Sequence, residues 1–236
     1  MKYIGKSYIR PDAISKVTGK AVFLDDVRLP DMLHASVLRP PIAHALVKSI
    51  DTGEAENCVG VVKVVTGKTC KFRYGDNIKD LQPMAVDKVR YIGEPVAAVI
   101  ADTPAHARAA MEKIKVEYEP LPVYTDALKA MEKDAVLIHQ DHEKYWRLPT
   151  LKPIPGTNVA NVYHLKKGKG ENGFADADVV IEGEFNYPHG SCAALEPHGA
   201  IVWFKEDKTI EAWSSSICPF IIREDQIGRA SCRERV

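Results

Sequence analysis

The sequence predicts an α+β fold on three observations: short β-branched runs dominate its first half, one well-capped helix interrupts them, and an alternating strand follows that helix directly. The runs cover residues 21–24, 33–38, 46–50, 59–65, 86–92 and 96–101, with turn-forming residues between them. Thr103 is a side chain that accepts from the free N–H groups of a helix start, Pro104 suits the first helical position, and Ala105 to Lys113 are helix formers. A helix is therefore expected over Thr103 to Lys113. In the next segment Ile114, Val116 and Tyr118 alternate with Lys115, Glu117 and Glu119, the period of a strand with one buried and one wet face. Pro120 and Pro122 end it. Strands grouped around a single helix depart from the regular alternation of a doubly wound sheet.

Two stretches without apolar period follow, residues 145–156 and the lysine- and glycine-rich 165–173, and both read as loops. Beyond them, alternating strands are expected at 179–187, 200–204 and 209–213. These features divide the chain into a first domain over residues 1–130, a linker over 131–157 and a second domain over 158–225. Residues 226–236 stand apart. Gly228 to Val236 abandon the strand pattern, carry three arginines and look like translated adapter sequence, so this tail is expected to be unpaired and exposed.

Composition narrows the class. The chain has 236 residues, 45% of them apolar, which is normal for a globular protein with a real core. Its 32 basic side chains balance 32 acidic ones, so no net field draws it to nucleic acid or anionic lipid. The longest aliphatic run, Val96 to Ala101, is far below the roughly 20 residues of a membrane span. Met1 to Asp12 carry basic residues without an apolar block behind them, so no secretory leader is read there and a cytoplasmic location is expected. Cys58, Cys70, Cys192, Cys218 and Cys232 are scattered without a C-x-x-C pair and read as free thiols.

Three constellations invite chemistry. Gly93 in Ile92-Gly93-Glu94-Pro95 lacks the G-x-G-x-x-G spacing of a phosphate cradle and reads as a positive-φ turn between strands. Asp25 and Asp26 are adjacent, so in a strand they point to opposite faces, and they read as strand-end and turn residues rather than a cation site. His189, Cys192, Glu196 and His198 are metal-ligating types. Their spacing matches no coordination motif, and hydrogen-bonded polar side chains are the simpler reading.

Arg10-Pro11-Asp12, Lys16 to Ala21 and Leu24-Asp25-Asp26, then Leu33-His34-Ala35, Val37-Leu38-Arg39 and Ala43-His44-Ala45, stand in an order that resembles the large subunit of molybdenum hydroxylases. Asp87 to Val99 and Val116 to Pro122 are the most specific matches to this family of xanthine dehydrogenases and aldehyde oxidases, and the likeness runs from about residue 4 to 225. The resemblance implies an a/b hammerhead domain followed by the truncated start of an α+β molybdopterin-binding domain, entered near Ala194-Leu195-Glu196-Pro197-His198. It further implies hydroxylation of an aldehyde, purine or other N-heterocycle with water-derived oxygen. The molybdenum-pterin cofactor would do this chemistry, with iron-sulfur clusters and FAD on partner subunits.

The family's glycine-rich cofactor loops and its acid/base glutamate belong downstream, so the chain is expected to be inactive alone. At Ile217, in Trp213 to Phe220, the family commonly places a glutamine that donates to an oxygen on the metal. Ile217 and Cys218 are thus the residues expected at the cofactor, and a histidine position of the family is held by Cys192. A second reading is a non-catalytic scaffold whose first domain only docks partner proteins.

Overall fold

The structure is a computed structural model that describes residues 3–226, apart from 169, 171, 176 and 189. In chain order it contains α1 (Ala13–Val17), β1 (His34–Leu38), β2 (Ala45–Asp51), α2 (Gly53–Glu56), β3 (Val61–Thr66), β4 (Lys88–Val89) and β5 (Ala97–Ala101). There follow α3 (Pro104–Met111), β6 (Lys115–Pro120), α4 (Ala127–Ala130), α5 (Asn172–Ala175), β7 (Ala200–Phe204), β8 (Ile210–Ser214) and α6 (Pro219–Gln226). Two compact units result: Asp31–Glu182, and Met1–Pro30 together with Gly183–Val236.

The larger unit holds two antiparallel three-stranded sheets, ordered β1-β5-β3 and β4-β2-β6. β5 is central and almost wholly buried, which is why its sequence, Ala-Ala-Val-Ile-Ala, has no polar alternation. Its small residues let α3, whose buried residues are Ala107 and Ala110, approach, and Ala110 packs in one cluster with Ala55, Val64, Ala97, Val99 and Ile114. A second cluster of Ala85, Val89 and Val96 packs against Val47, Val116 and Tyr118. The α3 start is as expected: Thr103 Oγ1 accepts from the His106 N–H at 3.2 Å and Pro104 opens the helix. β6 is also in the expected register, with Val116 and Tyr118 facing inward and Lys115 and Glu117 exposed.

Within Asp87 to Val96, the side chains of Lys88, Arg90 and Glu94 form a buried polar clamp. Lys88, only 2% exposed, donates through Nζ to Leu137 O at 2.9 Å, and Arg90 Nε donates to Ile138 O at 3.2 Å. Glu94 accepts from the Arg90 N–H at 2.5 Å and lies beside its guanidinium, while burial pushes the Glu94 carboxyl up and the Lys88 amine down. Gly93 takes φ +81, the positive value its turn requires, and its N–H donates to Pro40 O at 3.0 Å. Residues 131–157, expected as a linker, lie inside the larger unit, where these carbonyl contacts hold their first part.

Several expected elements differ. Residues 21–24 form no strand; Leu24–Asp26 make a 3-10 turn in which Asp26 accepts from the Phe23 N–H at 2.9 Å. Asp25 and Asp26 therefore sit in a turn and not at a strand end, because a side chain close in sequence satisfied the backbone before any ladder partner did. The 86–92 run contracts to β4, since Glu94 binds the Arg90 N–H that a longer ladder would use. Residues 179–187 form no strand, and Ile181 and Phe185 are 90% and 80% exposed. Alternation supplies a face, but a strand also needs a neighbour to accept its N–H groups, and no described strand lies beside it. The tail beyond residue 226 lies outside the described residues.

In the smaller unit β7 and β8 form an antiparallel hairpin with Ile201 opposite Trp213. Its turn is closed by Asp207, which accepts from the Thr209 N–H at 2.9 Å, while Lys208 takes φ +67.

Candidate functional site

The residues singled out for chemistry near the C-terminal end gather around this hairpin. Ser215, just after β8, accepts from the Gly199 N–H at 2.9 Å and donates to Pro197 O at 3.0 Å, which ties the chain before β7 to the chain after β8. Glu196 Oε1 accepts from the Leu24 N–H at 3.1 Å, across 172 residues of sequence, and so anchors the N-terminal segment of the same unit. Gly199 lies against the Leu24 side chain, whose flexible end would have to shift to admit a Cβ. Cys192 is exposed, and His189 lies outside the described residues. Among the described residues no three metal-ligating side chains come together.

These contacts border a cleft of ≈590 Å³ lined by Phe23, Leu24, Glu196, Trp213, Ser215 and Ser216, among others. Ile217 lies just beyond and is 98% exposed, without apolar cover. Cys218 is exposed too, and its N–H donates to Ser216 Oγ at 3.0 Å, so that backbone donor is already engaged. Pro219 starts α6 immediately afterwards, in the first-turn position where its missing N–H is harmless.

Residues 18–122 match the aldehyde oxidase and xanthine dehydrogenase a/b hammerhead domain, and residues 153–228 match the molybdopterin cofactor-binding domain. The chain belongs to the molybdenum hydroxylase family, with a hammerhead domain followed by the start of a molybdopterin-binding domain. Among its relatives, the aldehyde oxidoreductase of Megalodesulfovibrio gigas is 34% identical over 230 residues, covering 90% of this chain and 24% of that protein. The nicotinate dehydrogenase large molybdopterin subunit of Eubacterium barkeri is 30% identical over 227 residues, covering 95% of this chain and 50% of that one. The reconstituted CO dehydrogenase from Oligotropha carboxidovorans has a similar structure, with a TM-score of 0.81 at 28% identity over 97% of this chain and 29% of that one. The chain thus spans between about a quarter and a half of these relatives' length.

This cleft by itself does not form a cradle for a molybdenum-pterin group. The cleft's one ionisable lining residue, Glu196, is a carboxylate, the wrong sign for a phosphate-bearing pterin, and Ile217 has no donor to offer. Sequence reasoning missed the Glu196 to Leu24 contact and the buried clamp of Lys88 and Arg90. The first has no local signal at all. The second left one trace, the charged Asp87, Lys88 and Arg90 inside a run read as a strand.

Proposed function

We propose that this chain is part of the molybdopterin-binding subunit of a molybdenum hydroxylase that oxidises an aldehyde, purine or other N-heterocycle with water-derived oxygen. It works with an iron-sulfur subunit and an FAD-binding subunit, and it is inactive alone. The observation that carries this reading is the succession, in one chain, of the hammerhead match over 18–122 and the cofactor-domain match over 153–228. In this proposal the hammerhead domain covers residues 1–130 and the cofactor domain begins by 158, while Ile217 and Cys218 border the cofactor or the substrate channel. The near-complete exposure of Ile217, a residue normally buried, supports a covering group there.

No helix of the described residues is long and apolar enough to cross a membrane, and a cytoplasmic site of action is part of the proposal. The test is reconstitution: the chain expressed alone is expected to hold no molybdenum and to hydroxylate neither aldehydes nor purines. Extension by a downstream region carrying G-G-x-F-G-G, together with the two partner subunits, is expected to restore metal and turnover together. Stoichiometric molybdopterin and turnover in the 236-residue chain alone would overturn the reading.

A further inference from the structure

Inside the larger unit lies a cavity of ≈250 Å³ that uses none of the residues assigned above to the cofactor. Ile78, Ile138, Pro153 and the Tyr145 ring make it mainly apolar. Two charged side chains also line it, Asp80 and Arg147, and their charges do not meet. The Arg147 guanidinium is engaged elsewhere, donating from Nη1 to His142 O at 3.0 Å and from Nη2 to Glu143 O at 2.8 Å. The half-buried Asp80 carboxylate has neither a hydrogen bond nor an ion pair among the described residues. His139 Nδ1 and His142 Nε2 are sealed and leave no surface for a ligand to reach, so Asp80 is the acceptor open on this wall.

The walls that carry these groups are held in place by the chain itself. Ile78 and Arg147 form an antiparallel bridge, flanked by the Lys79 N–H on Trp146 O and the Leu148 N–H on Asn77 O, both at 2.9 Å. Asp80 O accepts from Arg73 Nη1 at 3.0 Å, and the same guanidinium covers the Tyr145 ring at 4.2 Å. Asn158 accepts from the Ile138 N–H at 2.8 Å and donates to Val136 O at 3.1 Å, which fixes a further stretch of wall. A site whose backbone is already fixed loses little entropy on binding.

Size and charge together select the ligand. A cavity of roughly 150 Å³ takes a benzene ring, so this one takes a ring with a small substituent. An anion is repelled by Asp80, the one acidic side chain on the wall. A cation is repelled by Arg147 on the same wall and by Arg73 over Tyr145. A neutral ring avoids both penalties, and a donor on it supplies the charge-assisted hydrogen bond that the Asp80 carboxylate lacks. We propose that the cavity binds a small neutral aromatic molecule bearing one O–H or N–H group, which donates to the Asp80 carboxylate while the ring lies among Ile78, Ile138 and Tyr145.

Phenol is the probe, titrated into the full chain by calorimetry near neutral pH, with toluene, benzoate and benzylamine as controls. One-to-one phenol binding is expected, about tenfold tighter than toluene, which has the same shape and no donor. The two charged compounds should bind much more weakly than phenol, and the Tyr145 ring resonances of the unmodified chain should move when phenol is added. Asp80→Ala should bring phenol down to the level of toluene and leave toluene itself unchanged. Ile138→Trp, which fills the cavity and keeps Asp80, should abolish binding of both. Should a variant fail to fold, the ligand comparison and the Tyr145 resonances in the unmodified chain decide alone. No stoichiometric heat, unmoved resonances, any control binding as tightly as phenol, or undiminished phenol binding to Asp80→Ala or Ile138→Trp would each overturn the proposal. The molybdenum reading rests on metal content and turnover, so the two fail separately.

Discussion

The two units of this chain are built from similar residues and packed very differently. In Asp31–Glu182, β5 is covered on both edges by strands and on one face by α3, and the fully buried Val89, Val96 and Val99 lie there. In the other unit the β7–β8 hairpin stands as a two-stranded ribbon. Ile201 is its one buried apolar residue among those described, while Val202, Trp203 and Phe204 are 50%, 45% and 69% exposed. The difference teaches that alternation makes a strand, but neighbours make it stable: an isolated two-stranded ribbon is marginal in water, and three strands with a covered face are not.

The comparison breaks most sharply at β5. Val99→Asp puts an unpaired charge at the centre of the larger core and is expected to cost more than about 4 kcal/mol, with loss of the folded unit by circular dichroism. Ile201→Asp in the ribbon is expected to cost less than about 2 kcal/mol, because few contacts are there to lose. Equal effects in urea titrations would show that the ribbon is as well packed as the sheet. Hydrogen exchange sharpens the same contrast: β5 amides should outlast those of β7 by orders of magnitude.

Gly60→Ala comes next. Gly60 takes φ +76, and a Cβ there would strike the Asp102 carboxylate and the His106 ring, which are paired at 2.6 Å. A loss of about 2 kcal/mol in thermal unfolding is expected, and a neutral result would mean that the pair swings away freely.

The buried His139 should give the larger unit a pH dependence. Its folded pKa of about 4 lies below the ordinary 6.5, so the unfolded chain binds the extra proton first, and stability falls as pH drops from about 6.5 to about 4. Glu94 acts in the opposite sense, because its raised pKa contributes stability at low pH that is lost as pH rises. The contribution of His139 is therefore read as a difference: His139→Gln should flatten the acid slope by about 1–2 kcal/mol, after allowance for the ring's partial solvent access. An unchanged slope would show that the ring protonates freely in the folded chain.

The smallest effect is expected at Ile217. Ile217→Asp should change the stability of this chain by less than about 0.5 kcal/mol, since the side chain touches little. In the reconstituted enzyme the same substitution should lower molybdenum occupancy or turnover. Silence there would remove Ile217 from the proposed cofactor border.

What the sequence determined by itself is local or periodic. The Thr103 cap with Pro104, the alternation of Val116 and Tyr118, the positive φ of Gly93 and the apolar run of β5 each follow from neighbours within a few residues, as do β7 and β8. The ordered motifs of residues 4–225 also identified the family. Only the tertiary structure decided that Glu196 caps Leu24 and that Lys88 and Arg90 bury their charges against the carbonyls of Leu137 and Ile138. It also decided that residues 179–187 find no ladder partner and that His139 and His142 share a cavity wall. The physical reason is one of range: a cap or a face is set by the chain's own period, whereas a buried charge or an unpaired N–H is settled by whichever distant group the packed chain brings within about 3 Å.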